Sequence, residues 1–342
     1  MTIQPALAKL LERGNLSRDE AREVMDSIMR GDATPAQIGG FLIALRLKVE
    51  TADEIAGFAE AMRAHVVPVR PSRDDLVDTA GTGGDGAQTL NISTAAALVA
   101  AAAGAAVAKH GNRAVSSASG SADVLEALGF ELEQEPERIA RSIDELGFGF
   151  MFAPTHHPAM RYAAPVRREL ATRTVFNVLG PLTNPAGARA QVVGVYAPEL
   201  VRTLAEVLSR LGARRAFVVH GAGGIDELSP AGPNVVAEVV DGGVRDRQID
   251  PVDLGIPRCA ISELAGGTPK ENASVIRAIF DRGLAGGRRD AILLNAAGAI
   301  AAGGHAEDLR EGLELARAAL DSGAAAERLE RLAAFSREAV TA

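Results

Sequence analysis

Tryptophan is missing from this 342-residue sequence, aromatic residues make up 4% of it, and a single cysteine, Cys259, is present. One cysteine excludes a disulfide framework and a thiolate metal site within a chain. The N-terminus lacks the basic and then apolar segments of a signal peptide. The longest uncharged apolar run, residues 95–108, is shorter than the roughly 20 residues that a membrane-spanning helix needs. We therefore expect a cytoplasmic protein with no membrane association.

A basic excess is also lacking, since 36 lysines and arginines face 44 aspartates and glutamates and the net charge is -8. Proteins that bind nucleic acid usually carry a basic balance, so nucleic acid is not expected as a partner. The hydrophobic content of 47% and charged content of 23% are ordinary for a globular protein. The length suits one large domain or two unequal ones.

The first part of the chain, to about residue 66, contains no strand-like run and predicts short helices. Ser17 with Glu20 and Thr51 with Glu54 fit capping boxes, and Pro35 follows Thr34 as the first residue of a helix. Apolar residues recur at helical spacing between these signals. We predict a small α-helical domain over residues 1–70.

After residue 70 the pattern changes to short apolar runs that alternate with helical segments. Such alternation predicts an α/β domain, residues 71–342, with a mostly parallel central sheet covered by helices. Residues of about 160–185 have helical spacing without neighbouring strands, so we expect them to join the helical domain. The predicted strands are LVDTA, AAVAKHG, FGFMFAP, QVVGVYA, AFVVHG and the pair VVAEVV and GGVRDRQI.

Directly after the first predicted strand, the run GTGGDGAQTLNIST (residues 81–94) matches the dinucleotide fingerprint G-x-G-x-x-G. Glycine-rich loops that lead into a helix bind phosphate through backbone N–H groups and the helix N-terminus. A dinucleotide site also needs an acidic residue about 20 positions further on. The second strand ends instead at Lys109 and His110, and no acid lies between Gly86 and Asp123. A P-loop is excluded as well, because no Gly-Lys-Ser/Thr follows.

Two elements that attract phosphate remain, the glycine loop and the run KHGNRAVSSASGS (residues 109–121) with its cations and serines. Cations and hydroxyls on a turn suit a ligand with several phosphates, such as a diphosphate. Asp226 and Glu227 follow the strand AFVVH, and adjacent carboxylates of this kind bind Mg²⁺ together with substrate phosphates. A solvated turn with a helix-starting acid explains the same pair equally well.

Three long segments together resemble the anthranilate phosphoribosyltransferase family: residues 81–94, KHGNRAVSSASGSADVLEALG, and FAPTHHPAMRYAAPVRRELATRTVFNVLGPLTNPA. The resemblance extends nearly end to end, through GGTPKENA and LLNAAGAI. It implies a small helical domain joined to a large α/β domain, as in pyrimidine nucleoside phosphorylases, and a homodimer that forms through the helical domains. The implied reaction transfers the phosphoribosyl group of 5-phosphoribosyl 1-diphosphate (PRPP) to anthranilate, the second step of tryptophan biosynthesis from chorismate, and releases diphosphate.

The resemblance also implies the site residues, among them Lys109 and Arg167 as catalytic groups. Two Mg²⁺ ions per subunit would be held, one by Ser93 and Glu227, the other by Asp226 and Glu227. The anthranilate site would comprise Gly81, Asn112 and Arg167, with His110, Pro154, His157 and Met160 lining its entry. The PRPP site would comprise Gly81, Gly84, Asp85, Thr89, Asn91, Ile92, Ser93, Thr94, Lys109, His110, Gly111, Asn112, Arg113, Ala114, Val115, Ser116, Ser117 and Ser121.

Some positions depart from the family pattern, and these bear on the phosphate contacts and on the surroundings of the second metal ion. Leu90 stands where phenylalanine is usual, Ala114 where serine is common, Ala118 where a basic residue is common, Ala171 where glycine is usual, and Gly223 where aspartate is usual.

Several single residues allow a structural interpretation beside the functional one. Lys109 could be a solvated strand-end lysine, and Arg167 could form a surface ion pair with Glu169. The pair His156-His157 has no third metal ligand at useful spacing, so packing is the better interpretation. His220 is expected to pack at a strand end. The remaining pair, Asp123 and Glu126, is expected to interact with a helix dipole.

Two rival functions are weighed against the phosphoribosyltransferase. A pyrimidine nucleoside phosphorylase is disfavoured by the NIST helix start and by the Asp226-Glu227 pair, since phosphorolysis uses inorganic phosphate without paired magnesium. A related chain that binds nucleic acid is disfavoured by the net charge of -8. For the transfer itself we expect positioning and electrostatics to act without a general base, because an aromatic amine is neutral at pH 7.

Overall fold

The computed structural model describes residues 2–114, 118–282 and 284–338. Val115, Ser116 and Ser117, which the resemblance places in the PRPP site, lie outside the described residues. None of the helices in the described ranges combines the length and apolar character that a membrane crossing requires.

The N-terminal part is helical, as predicted, and its helices begin at the expected caps. Ser17 and Thr51 form capping boxes with Glu20 and Glu54, and Thr34 forms another with Gln37. The side-chain oxygen of each cap accepts from a backbone N–H that would otherwise lack a partner. The helices are α1 (Ile3–Leu11), α2 (Arg18–Arg30), α3 (Pro35–Lys48) and α4 (Ala52–Ala64).

One ion pair of this helical part is buried. Lys48 Nζ lies 2.8 Å from Glu54 Oε2, and both side chains are almost completely enclosed. The other oxygen of Glu54 accepts from the Leu16 backbone N–H at 2.9 Å. Because the carboxylate is both paired and hydrogen-bonded, its burial is compensated, and it ties the α1–α2 connection to the start of α4.

The large part of the chain is built on a sheet of seven strands within the described residues, in the order β3-β2-β1-β4-β5-β6-β7. Pairing is parallel from β3 to β5, and β6 and β7 form an antiparallel hairpin at one edge. The order reverses between β1 and β4, the place where open α/β sheets bind ligands. The strands are β1 (Leu76–Gly81), β2 (Ala106–Gly111), β3 (Phe148–Phe152), β4 (Ala190–Gly194), β5 (Arg215–His220), β6 (Asn234–Val240) and β7 (Gly243–Ile249).

Helices cover this sheet, and the alanine-rich pair α5 and α13 forms the centre of its core. Small side chains let these helices approach the sheet and each other closely, which explains the alanine bias of the sequence. Short 3-10 turns connect several elements. The helices are α5 (Ile92–Ala102), α6 (Ser121–Ala127), α7 (Pro136–Leu146), α8 (Ala153–His156), α9 (Ala164–Leu170), α10 (Phe176–Leu179), α11 (Glu199–Arg210), α12 (Pro269–Phe280), α13 (Gly287–Gly303), α14 (Leu309–Asp321) and α15 (Ala324–Arg337).

The segment that follows β3 packs on the helical part. The helix α9 contacts α3, α10 contacts α4, and Val166, Phe176 and Leu179 share an apolar cluster with α2 to α4. Residues of α11 and of β4 to β6 belong to the same cluster, so the helical and α/β parts have a continuous interior. The domain limits 1–70 and 71–342, with 160–185 joined to the first, stay predictions.

Candidate active site

The glycine loop after β1 and the acidic loop after β5 meet at the carboxyl edge of the sheet. The Gly83 backbone N–H donates to Asp226 Oδ2 at 2.7 Å, and the Asp226 N–H donates to Asp85 Oδ2 at 3.2 Å. A Cβ on Gly81 would overlap the Asp226 carboxylate, and a Cβ on Gly194 would overlap the Asp226 carbonyl. The absence of side chains at these two strand ends therefore allows the contact.

Beside this contact, the start of α5 brings three further predicted residues together. The Ser93 backbone N–H donates to Glu227 Oε1 at 3.1 Å, and Ser93 Oγ lies 3.4 Å from Lys109 Nζ. The N-terminus of a helix carries positive potential, which favours an anion at this point. Ser93, Lys109 and Glu227 thus share one small volume at the ends of β1, β2 and β5.

The carboxylates of this site repel one another. Burial raises the pKa of Asp226, and the nearby Asp85 carboxylate raises it further. Burial and the Asp226 charge likewise raise the pKa of Glu227. No group of three or more histidine, cysteine, aspartate or glutamate side chains arranged for a metal occurs among the described residues. Two hard carboxylates beside the predicted phosphate site fit Mg²⁺, which usually completes its shell with water and phosphate oxygens.

Lys109 is buried, with 2% of its surface exposed, so the interpretation as a solvated strand-end lysine is wrong. Its Nζ donates to the Thr79 carbonyl at 2.5 Å and lies 3.3 Å from Thr79 Oγ1. Burial lowers the pKa of Lys109, while the carboxylates of Asp78 and Glu227 act in the opposite direction. A buried ammonium that is close to the helix start and to the acidic loop is well placed to meet a diphosphate.

Three histidines are buried, His110 in β2 and the pair His156-His157 at the end of α8. The rings of His110 and His157 lie 4.9 Å apart, and His110 Nδ1 is 3.3 Å from the Gly180 carbonyl. His156 Nδ1 is 2.9 Å from the Val67 carbonyl. Burial lowers the pKa of His110 to about 3 and that of His157 to about 4, so both rings are neutral at pH 7. The hydrogen bond between His156 and the Val67 carbonyl, and the contact of the His157 ring with His110, agree with packing as the interpretation of His156-His157.

Arg167 lies on α9, with its guanidinium 5.2 Å from the centre of the Phe176 ring. Among the described residues it forms no side-chain hydrogen bond or ion pair, so the expected alternative, a pair with Glu169, is wrong. Burial lowers the pKa of Arg167. Of the other residues expected at the entry, Met160 is half-buried and Pro154 is exposed. The structure joins Arg167 directly to none of the other predicted anthranilate residues in its described ranges.

The basic loop after β2 is held by Asp123 at the start of α6. Asp123 Oδ2 accepts from the backbone N–H groups of Ala114 and Gly120, each at 2.9 Å. The guanidinium of Arg113 pairs with Asp123 at 3.0 Å and with Glu126 at 2.9 Å. Asp123 therefore lies in the first turn of α6, where the helix dipole favours an acid, whereas Glu126 lies near the end of the helix, and both acids also pair with Arg113. The Arg113 charge, expected to face phosphate, is directed at α6.

The amide of Asn91 is largely used within the protein. Its Oδ1 accepts from Ser119 Oγ at 3.0 Å and from Asn272 Nδ2 at 2.9 Å, while its Nδ2 donates to the Ser119 carbonyl at 3.0 Å. Asn272 is buried on α12 and was not predicted as a site residue. In the sequence, only its position in GGTPKENA, a segment of the family resemblance, pointed to Asn272. Thr89 forms an isolated bridge with Ala265, which fixes the far end of the glycine loop.

The other predicted phosphate residues lie around these contacts. Ser121 Oγ donates to the Asn112 carbonyl at 3.2 Å, and the Asn112 side chain accepts from the Arg113 N–H at 2.7 Å. Ile92 and Thr94 are buried in the first turn of α5, so of this turn Ser93 is the more exposed member. Gly111 ends β2. His220 Nδ1 lies 2.8 Å from the Val195 carbonyl, in agreement with strand-end packing.

Arg173 was missed from sequence and connects the glycine loop to the helical part. Its guanidinium donates to the Gly84 carbonyl and lies 4.1 Å from the centre of the Tyr196 ring. Arg46 of α3 donates to Thr172 Oγ1 at 2.5 Å and to the Arg173 carbonyl. The motif TRTVFN was part of the quoted resemblance, but nothing in its spacing indicated which loop the arginine would reach.

Two departures from the family pattern have visible structural consequences. Ala171 ends α9 with φ of +46°, a left-handed conformation that favours glycine. Gly223 has φ of +89°, and a Cβ there would overlap the Ile261 side chain. An aspartate at 223 therefore requires both a strained backbone and a displaced Ile261. Leu90 is buried in the main core, and Ala118 is exposed.

Two family models match: "Glycosyl transferase family, helical bundle domain" over residues 4–66 and "Glycosyl transferase family, a/b domain" over residues 73–326. The anthranilate phosphoribosyltransferase of Moorella thermoacetica is 53% identical over 333 residues, which cover 97% of this chain and 98% of that protein.

Solved structures agree with these relatives. The anthranilate phosphoribosyltransferase of Thermus thermophilus superimposes with a TM-score of 0.93 at 50% identity, covering 97% of this chain and 99% of that one. The Saccharomyces cerevisiae protein of the same name, solved in complex with PRPP and Mg, gives a TM-score of 0.88 at 29% identity, covering 98% and 97%.

Proposed function

The chain belongs to the anthranilate phosphoribosyltransferase family, and we propose that the contact between its glycine and acidic loops is the centre of that activity. The enzyme transfers the 5-phosphoribosyl group of PRPP to anthranilate. The C1′–O bond to the diphosphate breaks with its electron pair, a C1′–N bond to the amine forms, and the amine loses one proton. The product is N-(5-phosphoribosyl)anthranilate, an intermediate of tryptophan biosynthesis.

One set of contacts supports the assignment of this activity to particular residues. The Gly83 N–H, the start of α5 at Ser93 and the Lys109 ammonium are all directed at one small volume. Asp226 and Glu227 supply hard oxygen ligands to the same volume. A dinucleotide, which needs an acid after the second strand, has no comparable partner there. A magnesium diphosphate would match both signs of charge, because Asp226 and Glu227 would hold the metal and the Lys109 ammonium would neutralise phosphate charge.

Departure of the diphosphate is the step that needs charge stabilisation. The transition state has oxocarbenium character, as in other displacements at an anomeric carbon. Lys109, together with N–H groups of the glycine loop other than that of Gly83, which is bonded to Asp226, stabilises the negative charge that develops on the leaving oxygen. Ser93, Asp226 and Glu227 would hold Mg²⁺, two ions per subunit, which when bound neutralise the diphosphate. No proton donor is required, since the leaving group is already a good one.

The acceptor is positioned through its carboxylate. Arg167 offers a half-buried guanidinium with no competing partner among the described residues, and a carboxylate binds such a group through paired hydrogen bonds. Holding the carboxylate fixes the ring, which directs the amine at C1′. His110 and His157 are neutral and buried, so they give the aromatic ring an uncharged wall. The amine is nucleophilic without a base.

We further propose that the enzyme is a homodimer that forms through the helical part. Leu11, Leu47 and Val49 are large apolar side chains of that part, and each exposes 70% or more of its surface. Burying such residues in an interface is favourable. A cytoplasmic location is proposed from the substrate, because a multiply charged phosphorylated sugar does not cross a membrane.

The test follows the fluorescence of anthranilate with purified protein, PRPP and Mg²⁺. We expect the signal to fall as anthranilate is consumed, with diphosphate released in equal amount in a coupled assay. Reactions without PRPP, or with Mg²⁺ removed by a chelator, are the controls. A constant signal from protein shown to be folded by circular dichroism contradicts the assignment. Phosphorolysis of a pyrimidine nucleoside under the same conditions would favour the phosphorylase instead.

A further inference from the structure

The strands β1 and β2 separate before they reach the site. They pair at Leu76–Ala106 and Val77–Val107, whereas β1 stays paired with β4 as far as Gly81, and β2 with β3 as far as Gly111. Backbone groups that face the opening between β1 and β2 therefore lose their ladder partners. Buried N–H and C=O groups without partners are costly, so other groups must replace the missing bonds.

Three buried side chains replace them. Asp78 Oδ1 accepts from the His110 N–H at 3.1 Å, and Asn184 Nδ2 donates to the Ala108 carbonyl at 2.8 Å. Lys109 Nζ donates to the Thr79 carbonyl at 2.5 Å. Asn184 Nδ2 also donates to Asp78 Oδ2 at 2.7 Å, which joins two of the three into one network. The opening is thus a built feature, and the Lys109 ammonium occupies it.

Charge gives Asp78 a second role. The residue is completely buried, and burial raises its pKa to about 6, against the opposing effect of Lys109 and of the Asn184 amide. Conversely, the Asp78 carboxylate raises the pKa of Lys109 more than any other charge does, and so opposes the effect of burial. A buried ammonium without a counter-charge is strongly disfavoured. Among the described residues Asp78 forms no direct hydrogen bond or ion pair with Lys109, and it acts on Lys109 through its charge and through the β2 backbone on either side, at the His110 N–H and, by way of Asn184, at the Ala108 carbonyl.

We propose that Asp78 is a positioning residue of the transfer reaction, which holds the Lys109 ammonium in the opening between β1 and β2 and directs it at the leaving diphosphate. Asn184 supports it by fixing the Asp78 carboxylate. This inference rests on the role proposed for Lys109 above. Asp78 itself is on the interior side of the network and contacts no substrate.

The test is a double-mutant cycle with Asp78→Asn and Lys109→Met. We expect each single change to lower kcat by about 100-fold, the usual effect of losing one group that stabilises the leaving oxygen. If Asp78 acts through Lys109, adding Asp78→Asn to Lys109→Met lowers kcat by less than about threefold more. KM for anthranilate stays within about threefold of wild type throughout, because the acceptor side is unchanged.

Stability alone would not produce this pattern. The matched control is Gln191→Met, since Gln191 is buried opposite Asp78 on β4 and donates to the Pro181 carbonyl at 2.7 Å without touching Lys109. It should lower the melting temperature while kcat stays within about threefold of wild type. Should Asp78→Asn fail to fold, Asn184→Ser replaces it in the cycle and must show the same dependence on Lys109.

Additive losses in kcat, or an Asp78→Asn enzyme within about threefold of wild type, would overturn the proposal. Calorimetric binding of inorganic diphosphate with Mg²⁺ separates this failure from a failure of the proposed function. If wild type consumes no anthranilate, Asp78→Asn and Lys109→Met must still each weaken diphosphate binding, by about tenfold and without additivity. Unchanged diphosphate binding in Asp78→Asn contradicts the positioning role whatever the acceptor is.

Discussion

Asp226 accepts a hydrogen bond from the Gly83 backbone N–H, which joins the acidic loop after β5 to the glycine loop after β1. The same carboxylate is next to Glu227, whose Oε1 accepts from the Ser93 N–H at the start of α5. These two hydrogen bonds fix the positions of the two loops relative to each other. A metal at this position would connect the enzyme to the diphosphate through oxygens that the fold has already placed.

Replacing the two acids, Asp226→Asn with Glu227→Gln, should lower turnover by about 100-fold or more while anthranilate binding changes little. The amides keep the size of the side chains but lose the charges that hold Mg²⁺. Steady-state kinetics at varied Mg²⁺ measures the effect. The control, Glu206→Gln with Asp246→Asn, removes two acids that pair with Arg202 on the surface. Near-normal turnover at limiting Mg²⁺ would refute the metal assignment.

Arg167→Gln should raise KM for anthranilate by at least about tenfold, because a charge-assisted pair with the substrate carboxylate is lost. Binding of PRPP, followed by calorimetry, should stay as in wild type. Arg168 is the next residue on α9 and is exposed, so Arg168→Gln is the matched control. An unchanged KM for anthranilate in Arg167→Gln would show that the carboxylate is bound elsewhere.

Acid should destabilise the protein partly through His157. Burial lowers the pKa of His157 to about 4 in the folded state. Below the ordinary pKa of histidine, the unfolded chain therefore binds a proton at this residue that the folded state does not bind. The contribution of neutral His157 to the free energy of unfolding is complete above about pH 6.5. It falls by up to about 1.4 kcal/mol per pH unit as the pH is lowered towards the pKa of the folded state. His157→Gln removes it. As the pH falls through this range, the difference in unfolding free energy between wild type and variant, from urea titrations, should therefore decrease. Parallel curves of unfolding free energy against pH would contradict the pKa shift.

Ala171→Gly should stabilise the protein by up to about 1 kcal/mol, because glycine adopts the left-handed conformation at this helix end without strain. The control is Ala318→Gly, at an exposed right-handed position within α14, which should cost about 1 kcal/mol. Urea unfolding measures both. A loss of stability in Ala171→Gly would mean that the freedom gained by the unfolded chain outweighs the strain relieved.

Much of the fold could be predicted, because its signals are local. Capping boxes at Ser17 and Thr51 marked helix starts, and apolar runs between polar turns marked the parallel strands. The strand order could not be predicted, since it depends on which helix crosses which face. The site loops were found through glycines and charges, but Arg113 turns to Asp123 because α6 brings that acid back to it.

The buried partners of the site were the hardest to predict. Asp78 and Asn184 are 106 positions apart in sequence, and neither belongs to a phosphate motif. Asn272 and Arg173 reach the glycine loop from elements distant in sequence. Each of these residues acts by meeting a backbone group or amide that only the folded chain brings near. A pattern along one sequence contains no such distances.

The glycines at 81 and 194 set a limit on how this enzyme can be varied. At each position a single methyl group would displace Asp226, so the two sites should appear as nearly invariant in a selection for activity, although glycine 194 is not expected to touch a substrate. Saturation mutagenesis for a new acceptor is better directed at the predicted acceptor-site residues around His157 and Met160. Among the described residues, neither side chain has a hydrogen bond or ring contact with the glycine loop or the acidic loop.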